Sequence, residues 1–196
     1  ALFIGVRLTD VRALDAAPAV AQSIPDTLGL DTKAKAAVVL DAATGRVLFA
    51  KNANARLPMA STTKIMSTLL TLEQDGQDEW FTVDPDAIRV EGSSMGLRVG
   101  DRVTLSALAY GMMLPSGNDA ANAAAVRIAG SKEAFARMMN ERAAELGMED
   151  SHFVTPSGLD DNAHYSSAYD MALLTREALS NPRFAEICSQ KSAKVC

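Results

Sequence analysis

The strongest constraint in this sequence is a helix with too little wet surface. After Pro58, the residues Ile65, Met66, Leu69, Leu70 and Leu72 recur at helical spacing until Glu73 and Gly76 close the run. Apolar residues cover much of the girth of such a helix, so it has to lie inside the molecule with other elements around it. The rest of the chain offers suitable partners. Leu105 to Leu114 reads as a helix stopped by Pro115, and a second starts near Asn118 and runs through an alanine-rich stretch to Gly130. Ser131 can cap a third, Glu133 to Leu146, which ends at Gly147. Ser167 and Asp170 have the cap-and-acid spacing of a fourth, which carries Leu173, Leu174 and Leu179 to Asn181-Pro182. With 196 residues, 48% of them apolar, one sizeable core is expected.

Strands are fewer. Val38-Val39-Leu40, the turn formers Ala43-Thr44-Gly45, and Val47-Leu48-Phe49 predict a β-hairpin. Residues 81–104 hold short apolar pieces cut by Asp84-Pro85, Gly92, Gly96 and Gly100, which suits a loop-rich subdomain with brief strands. Residues 1–33 show no steady period and read as an arm or a signal remnant, with Ala19-Val20-Ala21 resembling a cleavage site, and the domain proper is taken as 34–196. No apolar stretch reaches the ~20 residues that span a bilayer.

A formal charge of −5 without a basic stripe argues against a nucleic-acid partner. His152, His164, Cys188 and Cys196 are the only His and Cys residues, and their spacing suggests no metal site. We expect Cys188 and Cys196 to be free thiols.

Ser61 and Lys64 lie three apart at a helix start, so both side chains point to one face. That places a nucleophile beside a base. A serine hydroxyl needs a base, and a lysine serves only when desolvation or a neighbouring cation keeps its amine neutral, which burial of this helix would provide. The plainer alternative makes Ser61 an N-cap and Lys64 a solvated first-turn residue. Ser116-Gly117-Asn118, on a turn between two helices, supplies a second hydroxyl and an amide, suited to a proton relay and a substrate clamp; its plainer alternative is a turn followed by an Asn cap.

Two segments carry a resemblance. Pro58-Met59-Ala60-Ser61-Thr62-Thr63-Lys64-Ile65-Met66 and Met112-Met113-Leu114-Pro115-Ser116-Gly117-Asn118-Asp119-Ala120 resemble the first two motifs of the serine D-Ala-D-Ala carboxypeptidases, the low-molecular-mass penicillin-binding proteins. The likeness extends through Gly92-Ser93-Ser94-Met95-Gly96-Leu97, Ser151-His152-Phe153, Gly158-Leu159-Asp160 and His164-Tyr165-Ser166, and so covers about 36 to 190. Gly117, where class A β-lactamases carry Asp, favours the carboxypeptidase branch.

The resemblance implies an α/β penicillin-binding-protein/β-lactamase-like transpeptidase fold, a helical cluster packed on an antiparallel sheet that is incomplete in this chain. By position it makes Ser61 the acylated nucleophile, Lys64 its proton acceptor, Ser116 a shuttle to the leaving group and Asn118 a contact to the substrate backbone. The backbone N–H of Ser61 becomes one oxyanion donor. Peptidoglycan stem peptides and β-lactam antibiotics are the implied partners and the implied location is extracytoplasmic. No cofactor is implied, and membrane attachment is left to segments outside this sequence.

The family's third motif, Lys-Thr-Gly on a strand lining the cleft, does not occur in these 196 residues. Lys191-Ser192-Ala193 lacks the glycine and comes too soon after Ser116. The expectation is therefore a chain cut before that motif, inactive or weak on its own. Two rival readings follow. One is a non-catalytic fragment that binds cell-wall peptide or β-lactam. The other takes Gly92-Ser93-Ser94-Met95-Gly96 as the nucleophile elbow of an α/β-hydrolase with Asp160 and His164; an elbow needs a strand before and a helix after, and Leu97-Arg98-Val99-Gly100-Asp101 opens a helix poorly. On the lysine mechanism both histidines are structural, bonded to loop backbone.

Overall fold

The computed structural model describes residues 4–5, 32–159 and 161–194. The hairpin forms where the apolar runs predict it, as β2 (Ala37–Leu40) and β3 (Val47–Lys51), with the two-residue β1 (Ile4–Gly5) parallel to β2 on its other edge. The turn is tied by Asp41, whose carboxylate accepts from both the N–H and the hydroxyl of Thr44 at 2.8 Å, while Gly45 takes the left-handed φ of 73° that reverses the chain. Val38 pairs with Ala50 and Val39 with Phe49 before the register slips at Leu40.

A short 3₁₀ turn, Ala60–Thr63, leads into α1 (Lys64–Leu72), in which every residue except Ile65 is buried. Among the described residues the other helices are α2 (Leu105–Met113), α3 (Asn118–Ala129), α4 (Lys132–Glu145), α5 (Ala168–Ser180) and α6 (Pro182–Ser189), and α1 packs against each of them. Met66, Leu69, Leu70 and Leu72 reach into one cluster with Phe135, Met139, Phe153, Leu174 and Phe184. Each such side chain contributes about 1.5–3 kcal/mol by leaving water. The sheet joins the helices through α5, whose Ala168 and Ala172 lie on Val38, Leu40 and Ala50. This is the expected α/β arrangement, with α1 as its axis.

The loop-rich stretch also forms as predicted, with β4 (Phe81–Thr82) and β5 (Arg102–Val103) as a two-stranded antiparallel ribbon over a second cluster of Val83, Val103, Leu108 and Met112. The expected caps are present: Ser131 Oγ accepts from the N–H of Ala134 and Ser167 Oγ from that of Asp170. Lys191-Ser192-Ala193 is exposed and belongs to no strand.

Two elements differ from the sequence reading. The residues around Ser61 form a 3₁₀ turn rather than the first turn of the α-helix, because Ala60 enters it with a left-handed φ of 46°. Pro182 opens a helix where it reads as a stop. Asn181 ends α5, and its side-chain oxygen then accepts from the N–H groups of Arg183 and Phe184, so Pro182 occupies a first-turn position where its missing N–H costs nothing. Of the expectations on the ends of the chain, most of the 1–33 arm, Asp160 and Cys196, with any pairing of Cys188, lie outside the described residues.

Candidate active site

Lys64 is 1% exposed, while Ser61, three residues before it, is exposed. Its Nζ donates to Ser61 Oγ at 3.2 Å and to the backbone carbonyl of Ser157 at 2.8 Å. Burial lowers the Lys64 pKa from 10.5 to about 8, against a smaller upward pull from the Asp119 carboxylate. About a tenth of the amine is therefore neutral at pH 7, and the fraction grows toward pH 8. In that form the Ser61 contact can reverse, with the hydroxyl donating to the amine lone pair while the other N–H keeps the Ser157 carbonyl. This is the orientation a general base requires.

The segment 156–158 clamps this pair. Ser67, one turn beyond Lys64 on the same face, donates from Oγ to the Pro156 carbonyl at 2.6 Å, so consecutive carbonyls take consecutive donors of α1. Gly158 has φ +82°, and a Cβ there would overlap the Ala60 carbonyl. The glycine lets this segment lie directly on the 3₁₀ turn that carries Ser61.

The second predicted motif sits at the start of α3. Ser116 has a left-handed φ of 59°, a conformation costing a non-glycine residue about 1–3 kcal/mol, and Ala60 just before Ser61 is another such residue. Asn118 donates from its backbone N–H to the Ser93 carbonyl at 2.7 Å and from Nδ2 to the Glu91 carbonyl at 2.8 Å. Asp119 holds the next stretch of the same loop: Ser94 Oγ and the N–H groups of Met95, Gly96 and Leu97 all donate to its carboxylate, at 2.6 to 3.1 Å. Burial pushes the Asp119 carboxyl upward, but the Ser94 hydroxyl and the N–H groups of Leu97, Met95 and Ala120 outweigh it and keep the group below its ordinary value. Its influence on Lys64 and the packing of α1 on α3 bring the two motifs to one region. Ser116 Oγ is not among the hydrogen-bond partners of Lys64, which are Ser61 and Ser157.

The hydrolase alternative fails on geometry. Gly92 to Gly96 lies on a loop with no strand before it and no helix after it, and Ser94 is bonded to Asp119 rather than to a histidine. His152 Nδ1 meets the Ala163 carbonyl, and His164 accepts from the N–H of Val154, so both are bonded to loop backbone as expected. Ser67, Ser157 and Asp119 are residues around the pair to which the sequence reading gave no role, and His164, read there as structural, also meets the Thr63 hydroxyl beside Lys64. Asp119 lies within the second motif and His164 within the extended likeness, whereas Ser67 is one of three hydroxyl residues on α1, with Thr68 and Thr71, and does not stand out by spacing.

The family model described as D-alanyl-D-alanine carboxypeptidase matches residues 19–195. The chain belongs to the D-alanyl-D-alanine carboxypeptidase family. It is 40% identical over 158 residues to the D-alanyl-D-alanine carboxypeptidase DacF of Bacillus subtilis, a match that takes in 78% of this chain and 41% of that protein. The solved D-alanyl-D-alanine carboxypeptidase of Mycobacterium tuberculosis superimposes with a TM-score of 0.80 at 34% identity, over 91% of this chain and 66% of the other. Penicillin binding protein 6B of Escherichia coli gives 0.77 at 35%, over 88% and 59%. The chain thus spans about two fifths of the first of these carboxypeptidases.

Proposed function

We propose that the protein containing this chain is a serine D-Ala-D-Ala carboxypeptidase that trims the stem peptides of peptidoglycan. The observation that carries the reading is the Ser61–Lys64 pair: an exposed hydroxyl 3.2 Å from an amine that burial brings to a pKa of about 8.

In the first step Lys64 takes the Ser61 proton as Oγ attacks the carbonyl carbon of the penultimate D-Ala. The Oγ–C bond forms, and the oxyanion lies on the Ser61 N–H. The C–N bond to the terminal D-Ala then breaks, and the proton passes from Lys64 through Ser116 to the leaving amine. Water then loses a proton to the regenerated amine as it adds to the ester carbonyl. The Oγ–C bond breaks, the shortened peptide leaves as its carboxylate and Lys64 returns the proton to Ser61 Oγ. Nδ2 of Asn118 is spent on Glu91, so its Oδ1 is the atom offered to a substrate N–H. β-Lactams present a similar amide and stop at the acyl stage. The substrate chemistry calls for a location outside the cytoplasmic membrane.

The test is release of D-Ala from a diacyl-Lys-D-Ala-D-Ala peptide by the full-length protein. Wild type should turn the peptide over and Ser61→Ala should not. Peptide binding without release by wild type would favour the non-catalytic binder, and undiminished release by Ser61→Ala would refute the assignment.

A further inference from the structure

His164 takes no part in the chemistry proposed above, yet it is 4% exposed and engaged at both ring nitrogens. Nδ1 accepts the N–H of Val154 at 2.9 Å and, more weakly, that of Thr155 at 3.3 Å. A nitrogen that accepts carries no proton, so in the neutral ring the proton is on Nε2. Nε2 therefore donates to Thr63 Oγ1, 2.8 Å away. Burial lowers the His164 pKa; Asp161 opposes this and His152 reinforces it, and the lowered value favours the neutral ring. Phe153 packs edge-on against the imidazole, with ring centroids 5.8 Å apart, which fixes its plane.

The two ends of the ring thus grip two separate parts of the site. Thr63 is the last residue of the 3₁₀ turn that carries Ser61, and it immediately precedes Lys64. Val154 and Thr155 lead into Pro156 and Ser157, whose carbonyls receive Ser67 and Lys64. The tie continues within the loop, where the Gly158 N–H donates to Thr155 Oγ1 at 3.1 Å. Residues 153 to 158 have no regular secondary structure of their own, so side-chain ties set where the Ser157 carbonyl sits.

We propose that His164, as the neutral Nε2–H tautomer, is a positioning residue that sets the reach of Lys64 to Ser61 by pinning the 154–157 segment to Thr63. This rests on the carboxypeptidase reading only for the reaction used to observe it. A side chain in this place needs one acceptor at the loop end and one donor at the Thr63 end. Glutamine can supply both and leucine neither. Because Lys64 remains present, loss of the tie acts on alignment, for which roughly 10- to 100-fold is the expected scale.

The experiment uses the full-length protein and a chromogenic or fluorescent penicillin, with acylation rate and apparent affinity measured separately from pH 5 to 10. Wild type, His164→Leu and His164→Gln are compared, with folding checked by circular dichroism and thermal melting. His164→Leu should acylate roughly 10- to 100-fold more slowly with little change in affinity, and the inflection of its pH profile should move because the lysine is no longer held as before. His164→Gln should recover most of the rate. A folded His164→Leu with wild-type rate and pH profile would overturn the proposal, as would a His164→Gln no better than leucine. If leucine does not fold, the glutamine variant decides: a wild-type rate and inflection support the tie, and a rate down by more than 100-fold contradicts it. Wild type that penicillin does not acylate would instead refute the carboxypeptidase reading, so the two failures are distinguishable.

Discussion

The two motifs of the site are held in opposite ways. Ser61 stands exposed on a 3₁₀ turn and Lys64 at the start of the buried α1. Both are held through uncharged groups about ninety to a hundred residues later, where Ser157, Pro156 and His164 bond Lys64, Ser67 and Thr63. Ser116 to Asp119 stand at the mouth of α3 and are fixed by a carboxylate gathering the N–H groups of an exposed loop less than thirty residues earlier. Burial tunes the first region, where it lowers the lysine pKa. Charge organises the second, where it holds a partly exposed loop against the start of α3. Removing water from a lysine activates it and at the same time costs stability, whereas hydrogen bonds to an ionised carboxylate stabilise the loop and draw little on the core.

The largest effect that sharpens this contrast is expected from Lys64→Met. Acylation by penicillin near neutral pH should fall by about 10²–10⁴-fold, the usual worth of a general base. Stability should move the other way. Because the folded pKa lies below the unfolded one, the unfolded state binds more protons between about pH 8 and 10.5, and wild-type stability rises with pH across that window. At neutral pH the buried amine therefore costs up to about 3 kcal/mol, less what its hydrogen bonds return. The methionine variant should melt a few degrees higher at pH 7, with the gain shrinking toward pH 10 in calorimetry. A lower melting temperature together with wild-type acylation would break the contrast.

Gly158→Ala comes next. The added methyl meets the Ala60 carbonyl, and the left-handed φ of +82° disfavours any side chain, so the clamp must lift from the turn that carries Ser61. We expect a loss of about 10²-fold in acylation, the scale of an ångström's misplacement. Chymotrypsin digestion should show new cleavage at Phe153 if the segment has lifted, and protection equal to wild type would contradict the clamp.

The smallest effect is expected from Asp119→Asn. Its charge holds the Lys64 pKa up, so removing it should move the inflection of the acylation profile to lower pH. The 94–97 loop should also exchange its amide hydrogens faster, since an amide cannot replace a carboxylate that accepts on both oxygens. A profile moved to higher pH would show that the Asp119 charge does not favour the lysine's protonated form.

Much of this architecture was legible because it depends on local signals. The girth of α1, the caps at Ser131 and Ser167 and the hairpin turn at Gly45 are written within a few residues of where they act. The Ser61–Lys64 spacing belongs to the same class. α6 was missed because a proline after Asn has two local meanings, a stop or a first helical turn, and only the burial of Phe184 and Ile187 in the core decides between them. Ser157 acts through a carbonyl that every residue type possesses, and His164 through a tautomer fixed by residues about ten and one hundred positions away. Such roles leave no mark in spacing.

The central claim is that Ser61 is the nucleophile because Lys64 alone supplies its base. Peptide mapping by mass spectrometry of the penicillin-treated full-length protein tests this most directly, run beside Lys64→Met under the same conditions. We predict a single acyl adduct on Ser61 in wild type and almost none in the variant. An adduct on Ser94 or Ser116, or undiminished labelling of Ser61 without the lysine, would contradict the account.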